Sequence, residues 1–191
     1  MGRLVAITGG IGSGKSVVSR ILEIQGYPVY DCDSRAKLLM VKKDCLDDIA
    51  AAFGEEAVKD GRINSPYIAS IVFNDVRKLK ELNAIVHPRV AADLKSWAQS
   101  QSSEVVFVET AILKESGLDR VVDAIWIVDA PVDVRIERVM KRNGLSEKEV
   151  VSRIEKQAKE LCFDVPSYVI VNDNKSSLIG QVDQMLRNKL Y

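Results

Sequence analysis

The residues of this chain that are best suited to chemistry form a glycine-rich run near the N-terminus. The run fits the pattern G-x-x-x-x-G-K-[ST] and consists of Gly9, Gly10, Ile11, Gly12, Ser13, Gly14, Lys15 and Ser16. Glycines let consecutive backbone N–H groups turn toward an anion, and the start of a following helix presents positive charge. Lys15 would reach the β- and γ-phosphates of a nucleoside triphosphate, and Ser16 would bind Mg²⁺. The run therefore predicts a phosphate-binding loop, or P-loop, whereas the alternative is a glycine-rich turn before an ordinary helix.

The sequence on either side of this run has the pattern that a P-loop requires. Residues 3–8, RLVAIT, form a short apolar run that is typical of a strand. Val18, Ile21 and Leu22 then recur at helical spacing before Gly26 provides a stop. We therefore expect a strand, the loop and a helix in that order.

Two carboxylates follow the second apolar run, which covers residues 27–30. Asp31 and Asp33 would lie at the carboxyl end of a strand, where ligands of open parallel sheets bind. One carboxylate could take a proton from an attacking hydroxyl group, while the other binds Mg²⁺ through water or holds the acceptor. The alternative is that Asp33 or Ser34 caps a helix and Asp31 is merely solvated.

Three arginines recur at helical spacing in the segment that follows Pro131. Arg135, Arg138 and Arg142 share one face of the expected helix, from which they could close over a polyphosphate and stabilise its charge. The alternative is a solvated surface helix, because Glu137 and Lys141 form an i,i+4 pair on it.

Two single residues are weaker candidates for the same chemistry. Glu109 follows the third apolar run and could support Mg²⁺ or water near the phosphates, or it could cap a loop. His87 precedes Pro88, a residue that is expected to end one helix and begin another. This pattern favours a structural histidine over a ligand.

Continuous apolar runs alternate with helical patterns along much of the chain. Such runs suit strands of a parallel sheet that helices cover on both faces, which predicts an α/β fold. They lie at residues 3–8, 27–30, 105–108, 124–128 and 168–171. Between residues 34 and 103 we expect only helices and one turn near Asp60-Gly61, so this insertion predicts a helical substrate-binding subdomain, the alternative being extra core helices.

Composition limits the classes of function. The 191 residues include 27 Lys and Arg and 27 Asp and Glu, so no basic field indicates binding to nucleic acid or to an anionic membrane. Cys32, Cys45 and Cys162 lack CxxC spacing and there is one histidine, which argues against a disulfide framework and a zinc site. No apolar run is long enough to span a membrane and no leader pattern is present, so we expect a cytoplasmic protein. Homo-oligomer formation is left open.

These residues together resemble the dephospho-coenzyme A kinase family, nearly from end to end. The resemblance rests on TGGIGSGKS, Asp31-Cys32-Asp33, Phe53-Gly54, Asp60-Gly61, Ile71-Val72-Phe73, Leu82-Asn83, His87-Pro88, Arg138 and Arg142, with Gln157 and Asn172 also at family positions. The chain departs from the usual family residues at Ala111-Ile112-Leu113-Lys114-Glu115, Arg135, Ser65 and Val165-Pro166. These departures concern details of substrate contact.

The resemblance implies a three-layer P-loop NTPase fold with a five-stranded parallel sheet, a helical insertion and a small helical lid. The nucleotide-binding core would comprise residues 1–33, 103–129 and 164–191. The coenzyme A domain would comprise residues 34–102, and the lid would comprise residues 130–163. The implied reaction transfers the γ-phosphate of ATP, with Mg²⁺, to the ribose 3′-hydroxyl of dephospho-coenzyme A.

The resemblance also implies a role for each candidate residue. Asp33 would act as the base or orient the acceptor, and Lys15 and Mg²⁺ would neutralise the phosphates. Arg138 and Arg142 would close from the lid. The expected acceptor-side residues are Asp31, His87 and Arg89.

Two other functions compete with this one. A shikimate-type or nucleoside monophosphate kinase shares the P-loop, and shikimate-type kinases also have paired aspartates, but their smaller acceptor would not need the long insertion. A regulatory nucleotide switch would be expected to have an Asn-Lys-x-Asp run, where this chain has Asn174-Lys175-Ser176-Ser177.

Overall fold

The computed structural model describes residues 2–73, 75–157 and 163–191. Its strands are β1 (Arg3–Thr8), β2 (Val29–Asp31), β3 (Val58–Lys59), β4 (Arg62–Ile63), β5 (Val105–Glu109), β6 (Ala124–Asp129) and β7 (Ser167–Val171). Its α-helices are α1 (Lys15–Ile24), α2 (Cys32–Met40), α3 (Lys43–Phe53), α4 (Ser65–Val72), α5 (Val76–Ser100), α6 (Val132–Asn143), α7 (Glu147–Gln157) and α8 (Leu178–Arg187). Residues 158–162, which include Cys162 and part of the expected lid, lie outside the described residues.

The chain divides into two compact units. The first unit comprises Met1–Tyr30 and Ala98–Tyr191, and the second comprises Asp31–Trp97. The first unit is therefore made from two separate parts of the chain, and the second is formed by the insertion between them.

The first unit contains a five-stranded parallel sheet with the strand order β2-β5-β1-β6-β7. β1 lies at its centre, where Arg3 is opposite Val105 and Val5 is opposite Ala124. Consecutive residues of β1, β5 and β6 are buried, as is typical of strands that are covered on both faces, and this explains their continuous apolar runs. The α/β class and the five-stranded parallel sheet that the sequence predicted are confirmed. Because the strands are parallel, the loops after β1, β5 and β6 lie at the same end of the sheet, beyond the carboxyl ends of these strands.

The last apolar run forms an edge strand rather than a central one. In β7, Val169 and Val171 are exposed, so its burial alternates where the sequence predicted cover on both faces. The Gln181 side chain accepts a hydrogen bond from the Val171 N–H and donates one to the Val171 carbonyl. This amide takes the place of a neighbouring strand and blocks part of the free edge.

The second unit is helical but contains a hairpin that the sequence prediction missed. β3 and β4 pair antiparallel, with Val58 opposite Ile63. The turn residues Asp60 and Gly61 both have positive φ, the conformation that a two-residue Asp-Gly hairpin turn requires. The strands are only two residues each, too short to show an alternating apolar pattern.

Helix α5 is also longer than expected, because Pro88 lies inside it rather than at a helix start. Proline has no N–H for the carbonyl four residues earlier and its ring crowds that turn of the helix. In α5 the Arg89 Nη1 donates to the nearby Ile85 carbonyl over 2.7 Å. This bond helps to compensate the turn that Pro88 disturbs. No helix in the described part of the chain has both the length and the apolar character needed to cross a membrane.

Candidate functional site

The glycine-rich run forms a turn that leads from β1 directly into α1. Gly14 is the N-cap of α1 with φ 98° and ψ 28°, a left-handed conformation that favours glycine. Lys15 begins the helix, and its Nζ donates to the Gly9 carbonyl over 2.9 Å. The lysine side chain therefore crosses the loop from its end back to its start. Ser16 is exposed in the first turn of the same helix.

Neighbouring elements approach three glycines of the loop so closely that these glycines leave little room for a Cβ atom. A Cβ atom would overlap the Val128 carbonyl oxygen at Gly9 and Asn172 Nδ2 at Gly14, and at Gly12 it would lie 2.7 Å from the Arg135 carbonyl oxygen. All three also have positive φ, so packing from β6, α6 and the loop after β7 adds to the requirement of their backbone angles.

Arg138 contacts the loop from helix α6. Its Nη1 donates to the carbonyls of Gly12 and Ser13 over 3.3 and 3.5 Å. Its Nη2 donates to the carbonyl and side-chain oxygens of Asn172 over 3.2 and 3.1 Å, and to Asn174 Oδ1 over 2.5 Å. One guanidinium therefore connects the P-loop with the loop that follows β7.

Asn172 completes this connection from the other side. It is buried, and its Nδ2 donates to the Ser13 carbonyl over 2.7 Å. Its backbone N–H donates to the Asp129 carbonyl over 2.7 Å, which ties the loop after β7 to the end of β6. In the sequence Asn172 stands out only as a family position, and nothing in its spacing indicates this contact.

Two further side chains bind the backbone of Ile11. Arg135 Nε donates to the Ile11 carbonyl over 2.9 Å, and the Ile11 N–H donates to Gln157 Oε1 over 2.7 Å. Burial lowers the pKa of the Arg135 guanidinium, and Asp129 opposes that shift. The only sequence signal for Arg135 is its spacing of three residues from Arg138, which places both on the loop-facing side of α6.

Arg142 has a different position from the other two arginines of α6. It is exposed, its Nε donates to Asn143 Oδ1 over 2.8 Å, and Gly144 ends the helix just beyond it. The described residues show no contact between Arg142 and the loop. Its expected role in stabilising phosphate charge stays a prediction.

The end of β5 and the segment after it border the loop. Glu109 is the last residue of β5 and lies opposite Ile7 of β1, at the end of the strands where the P-loop begins. A small pocket is lined by loop residues and by the segment that departs from the usual family residues: Thr8, Gly9, Gly10, Ala111, Leu113, Lys114, Gln157 and Phe163. The departures at Ala111 and Lys114 therefore face the loop.

In the second unit, the two predicted aspartates have different environments. Asp31 is the N-cap of α2, and its Oδ1 accepts from the N–H groups of Asp33 and Ser34 over 3.0 and 3.3 Å. Its Oδ2 accepts from Ser34 Oγ over 2.5 Å. The capping residue is thus Asp31, not Asp33 or Ser34 as the alternative reading had it. The Asp33 carboxylate is exposed and has no hydrogen bond or ion pair with any residue that the structure describes.

Arg89, the expected acceptor-side arginine, forms ion pairs with residues of its own unit. Arg89 forms ion pairs with Asp48 Oδ2 at 2.5 Å and with Asp44 Oδ2 at 3.3 Å. The hydrogen bond with Asp48 is the main reason that the pKa of Arg89 is raised. His87 is half-buried in the middle of α5. The acceptor-binding roles of Asp31, His87 and Arg89 stay predictions.

The donor atoms near the loop fit a magnesium ion that is held mainly by phosphate. Mg²⁺ usually keeps several waters and binds to one or two protein oxygens and to substrate phosphates. The exposed hydroxyl of Ser16 can supply such an oxygen at the start of α1. Within residues 2–73, 75–157 and 163–191 no group of three or more His, Cys, Asp or Glu side chains could form a protein-only metal site.

Known proteins resemble this chain in sequence and in structure. A family model described as Dephospho-CoA kinase matches residues 3–177. A Bacteroides fragilis protein named Dephospho-CoA kinase is 36% identical over 186 residues, which are 95% of this chain and 90% of the relative. A crystal structure from Thermus thermophilus covers 100% of this chain and 98% of its own at 31% identity, with a TM-score of 0.82. A Dephospho-CoA kinase structure from Campylobacter jejuni, 22% identical, covers 100% of both chains with a TM-score of 0.68 and supports the fold.

Proposed function

The chain belongs to the dephospho-CoA kinase family, and we propose that it transfers the γ-phosphate of ATP to the ribose 3′-hydroxyl of dephospho-coenzyme A. The products are coenzyme A and ADP. The observation that carries this proposal is the family match over residues 3–177, which includes both the P-loop and the Asp33 segment. Cys32 and Cys45 are buried and form no disulfide bond with each other, which suits a reducing compartment, so we propose the cytoplasm as the site of the reaction.

The P-loop residues supply the donor half of this reaction. Phosphoryl transfer depends mainly on positioning and on the stabilisation of charge. Lys15 exchanges the Gly9 carbonyl for the β- and γ-phosphates, and the N–H groups at the start of α1 point at the same anion. Ser16, with support from Glu109, would hold Mg²⁺, which would supply further positive charge.

Asp33 is the acceptor-side group whose surroundings best suit a general base. Its carboxylate accepts the proton of the 3′-hydroxyl as the new bond between that oxygen and the γ-phosphorus forms and the bond to the leaving ADP oxygen breaks. Asp31 suits this role less well, because both its carboxylate oxygens already accept hydrogen bonds at the N-terminus of α2. Asp31, His87 and Arg89 remain candidates for binding the acceptor.

Two arginines of α6 have different roles in the proposed reaction. Arg138 holds the carbonyls of Gly12 and Ser13 and so fixes the shape of the loop before ATP binds. Arg142, which is exposed, stabilises phosphate charge when residues 130–163 close as a lid. Residues 34–102 form the acceptor domain in this proposal.

A coupled assay of ADP release from the purified chain tests the proposed function. The acceptors are dephospho-coenzyme A, adenosine, nucleoside monophosphates and shikimate, each with ATP and Mg²⁺. We expect kcat/KM for dephospho-coenzyme A to exceed that for every other acceptor by at least about 10³-fold, because its remote groups also contribute binding energy. Equal or better turnover of shikimate or a nucleoside monophosphate would contradict the proposal.

A further inference from the structure

One residue of the P-loop, Ile11, is bound at three points by the helices α6 and α7. Its carbonyl accepts from Arg135 Nε of α6, and its N–H donates to Gln157 Oε1 of α7. Its side chain packs on a hydrophobic cluster of these two helices and the loop between them, which contains Val139, Val150 and Ile154 with Ile136 and Leu145. Both backbone groups and the side chain of a single loop residue are thus used to fasten the helices.

The two backbone hydrogen bonds of Ile11 cannot easily be replaced by bonds to water. Ile11 is partly buried, so losing either hydrogen bond would leave a backbone group without a partner away from water, which is unfavourable. The backbone of Arg135 also lies against Gly12, where a Cβ atom would come within 2.7 Å of the Arg135 carbonyl oxygen. The position of α6 and the path of the loop from Gly10 to Gly12 therefore depend on each other.

Gln157 suits this position because it accepts a hydrogen bond without charge. A glutamate could accept the same bond from the Ile11 N–H, but it would add a negative charge beside a loop that must bind phosphates. A leucine would have similar bulk but could not accept the bond at all. The two substitutions therefore separate the hydrogen bond from the charge.

We infer that Ile11 is an anchor that couples the P-loop to α6 and α7, and that Arg135 and Gln157 are positioning residues for ATP. They act through the Ile11 backbone rather than by touching the phosphates. Arg138 and Arg142 lie on the same helix, α6. The anchor therefore couples the conformation of the ATP-bound loop to the position of these two arginines. The inference rests on the proposed function only for the kinetic readout, because ATP binding and the Ile11 hydrogen bond can be measured without an acceptor.

The test makes two measurements on each of the variants Arg135→Met, Gln157→Leu and Gln157→Glu. Calorimetry gives the Kd for ATP, and NMR gives the rate of hydrogen exchange of the Ile11 amide. We expect the Kd for ATP to rise about tenfold in both Arg135→Met and Gln157→Leu. The Ile11 amide should exchange faster in Gln157→Leu but stay protected in Gln157→Glu, whose ATP affinity still falls because of its charge. Arg135→Lys keeps a donor and should recover part of the affinity that Arg135→Met loses.

Exposed residues of α8 provide matched controls. Arg187→Met and Gln184→Leu remove the same chemical groups from the surface of the first unit and should leave the Kd for ATP unchanged. In steady-state kinetics, the anchor variants should raise the KM for ATP and leave the KM for dephospho-coenzyme A unchanged. A purely structural role would instead lower the unfolding midpoint and disturb both KM values alike.

The double variant Arg135→Met/Gln157→Leu distinguishes one anchor from two independent contacts. If both side chains act through Ile11, the loss of either hydrogen bond already frees the loop. The double variant should then bind ATP little more weakly than whichever single variant has the higher Kd. Independent, multiplying losses would contradict the anchor. An ATP Kd within about twofold of the parent chain in both single variants would overturn the inference, even if the proposed kinase activity were confirmed.

Discussion

The two units of this chain use their half-buried arginines differently. In the first unit, Arg135 and Arg138 donate to main-chain carbonyls of the P-loop. In the second unit, Arg35 pairs with the Asp93 carboxylate of α5, and Arg89 pairs with carboxylates of α3. The same side chain therefore shapes a loop in one unit and joins helices in the other.

This difference indicates how each unit should respond to substitution. Hydrogen bonds to loop carbonyls fix backbone positions that ATP must find preformed, so their loss should appear in ATP binding. Ion pairs between partly exposed groups contribute about 0–1 kcal/mol to stability. The carboxylates that pair with Arg89 are 57% and 69% exposed, so their loss should affect ATP binding little.

The largest expected effect belongs to the P-loop lysine. Lys15→Ala removes the cation nearest to the transferred phosphate and should lower kcat by at least about 10²-fold without unfolding the chain. Lys43→Ala is the matched control in the second unit, because Lys43 is 88% exposed and pairs only with Asp47 on its own helix among the described contacts. The measurement is ADP release with circular dichroism as the check on folding. Near-normal turnover of Lys15→Ala would refute its role.

A second comparison uses one glycine from each unit. Gly14→Ala and Gly61→Ala both place alanine at positive φ, which costs about 1–2 kcal/mol of the free energy of unfolding. A Cβ at Gly14 would also overlap Asn172 Nδ2, whereas nothing lies within 4 Å of one at Gly61. We expect Gly14→Ala to cost more stability in urea unfolding and to weaken ATP binding by more than about tenfold. Equal losses in the two variants would show that packing around the loop is unimportant.

A smaller effect is expected for Arg89. Arg89→Met removes the ion pairs with Asp44 and Asp48 and should lower the free energy of unfolding by about 1 kcal/mol. If Arg89 also binds the acceptor, the KM for dephospho-coenzyme A should rise about fivefold while the Kd for ATP stays the same. An unchanged KM would restrict Arg89 to a structural role, and a weakened ATP affinity would break the contrast between the units.

The smallest expected effect concerns the pH dependence of stability in the loop after β7. N–H groups of Ser176 and Lys175 donate to the Asp173 carboxylate and lower its pKa. A carboxyl group with a lowered pKa stabilises the folded state above its unfolded-state pKa, and this contribution is lost as the pH falls through the folded-state pKa. Asp173→Asn should therefore lower Tm slightly at pH 7, and the difference should begin to shrink below about pH 4, the ordinary pKa of aspartate, and disappear below the lowered folded-state pKa. A difference that persists at acidic pH would contradict this assignment.

The parts of the molecule that the sequence predicts correctly are those with strong local patterns. The run from Gly9 to Ser16 and the continuous apolar strands need no knowledge of distant residues, because glycine angles and two-sided burial determine them. The β3–β4 hairpin was missed since its strands are too short to show a pattern, although Asp60-Gly61 marked its turn.

The errors and omissions have a common physical origin in tertiary contacts. The continuation of α5 through Pro88 depends on packing that can outweigh the local cost of proline. The contacts of Gln157 and Asn172 with the loop join residues more than 140 positions apart, and no local spacing encodes them. For the same reason helical spacing groups Arg142 with Arg135 and Arg138, although in the described residues Arg135 and Arg138 bond to the loop and Arg142 bonds to Asn143.

The most direct test of the proposed reaction is a paired measurement on Asp33→Asn, which keeps the shape of the side chain and removes its basicity. Phosphorus NMR would follow formation of the 3′-phosphate from ATP and dephospho-coenzyme A, and calorimetry would give the Kd for ATP. We predict that the parent chain forms this product, and that the variant forms at least about 10²-fold less while its ATP affinity stays within about twofold. Loss of ATP affinity in step with turnover, or phosphate on a different hydroxyl group, would contradict the account.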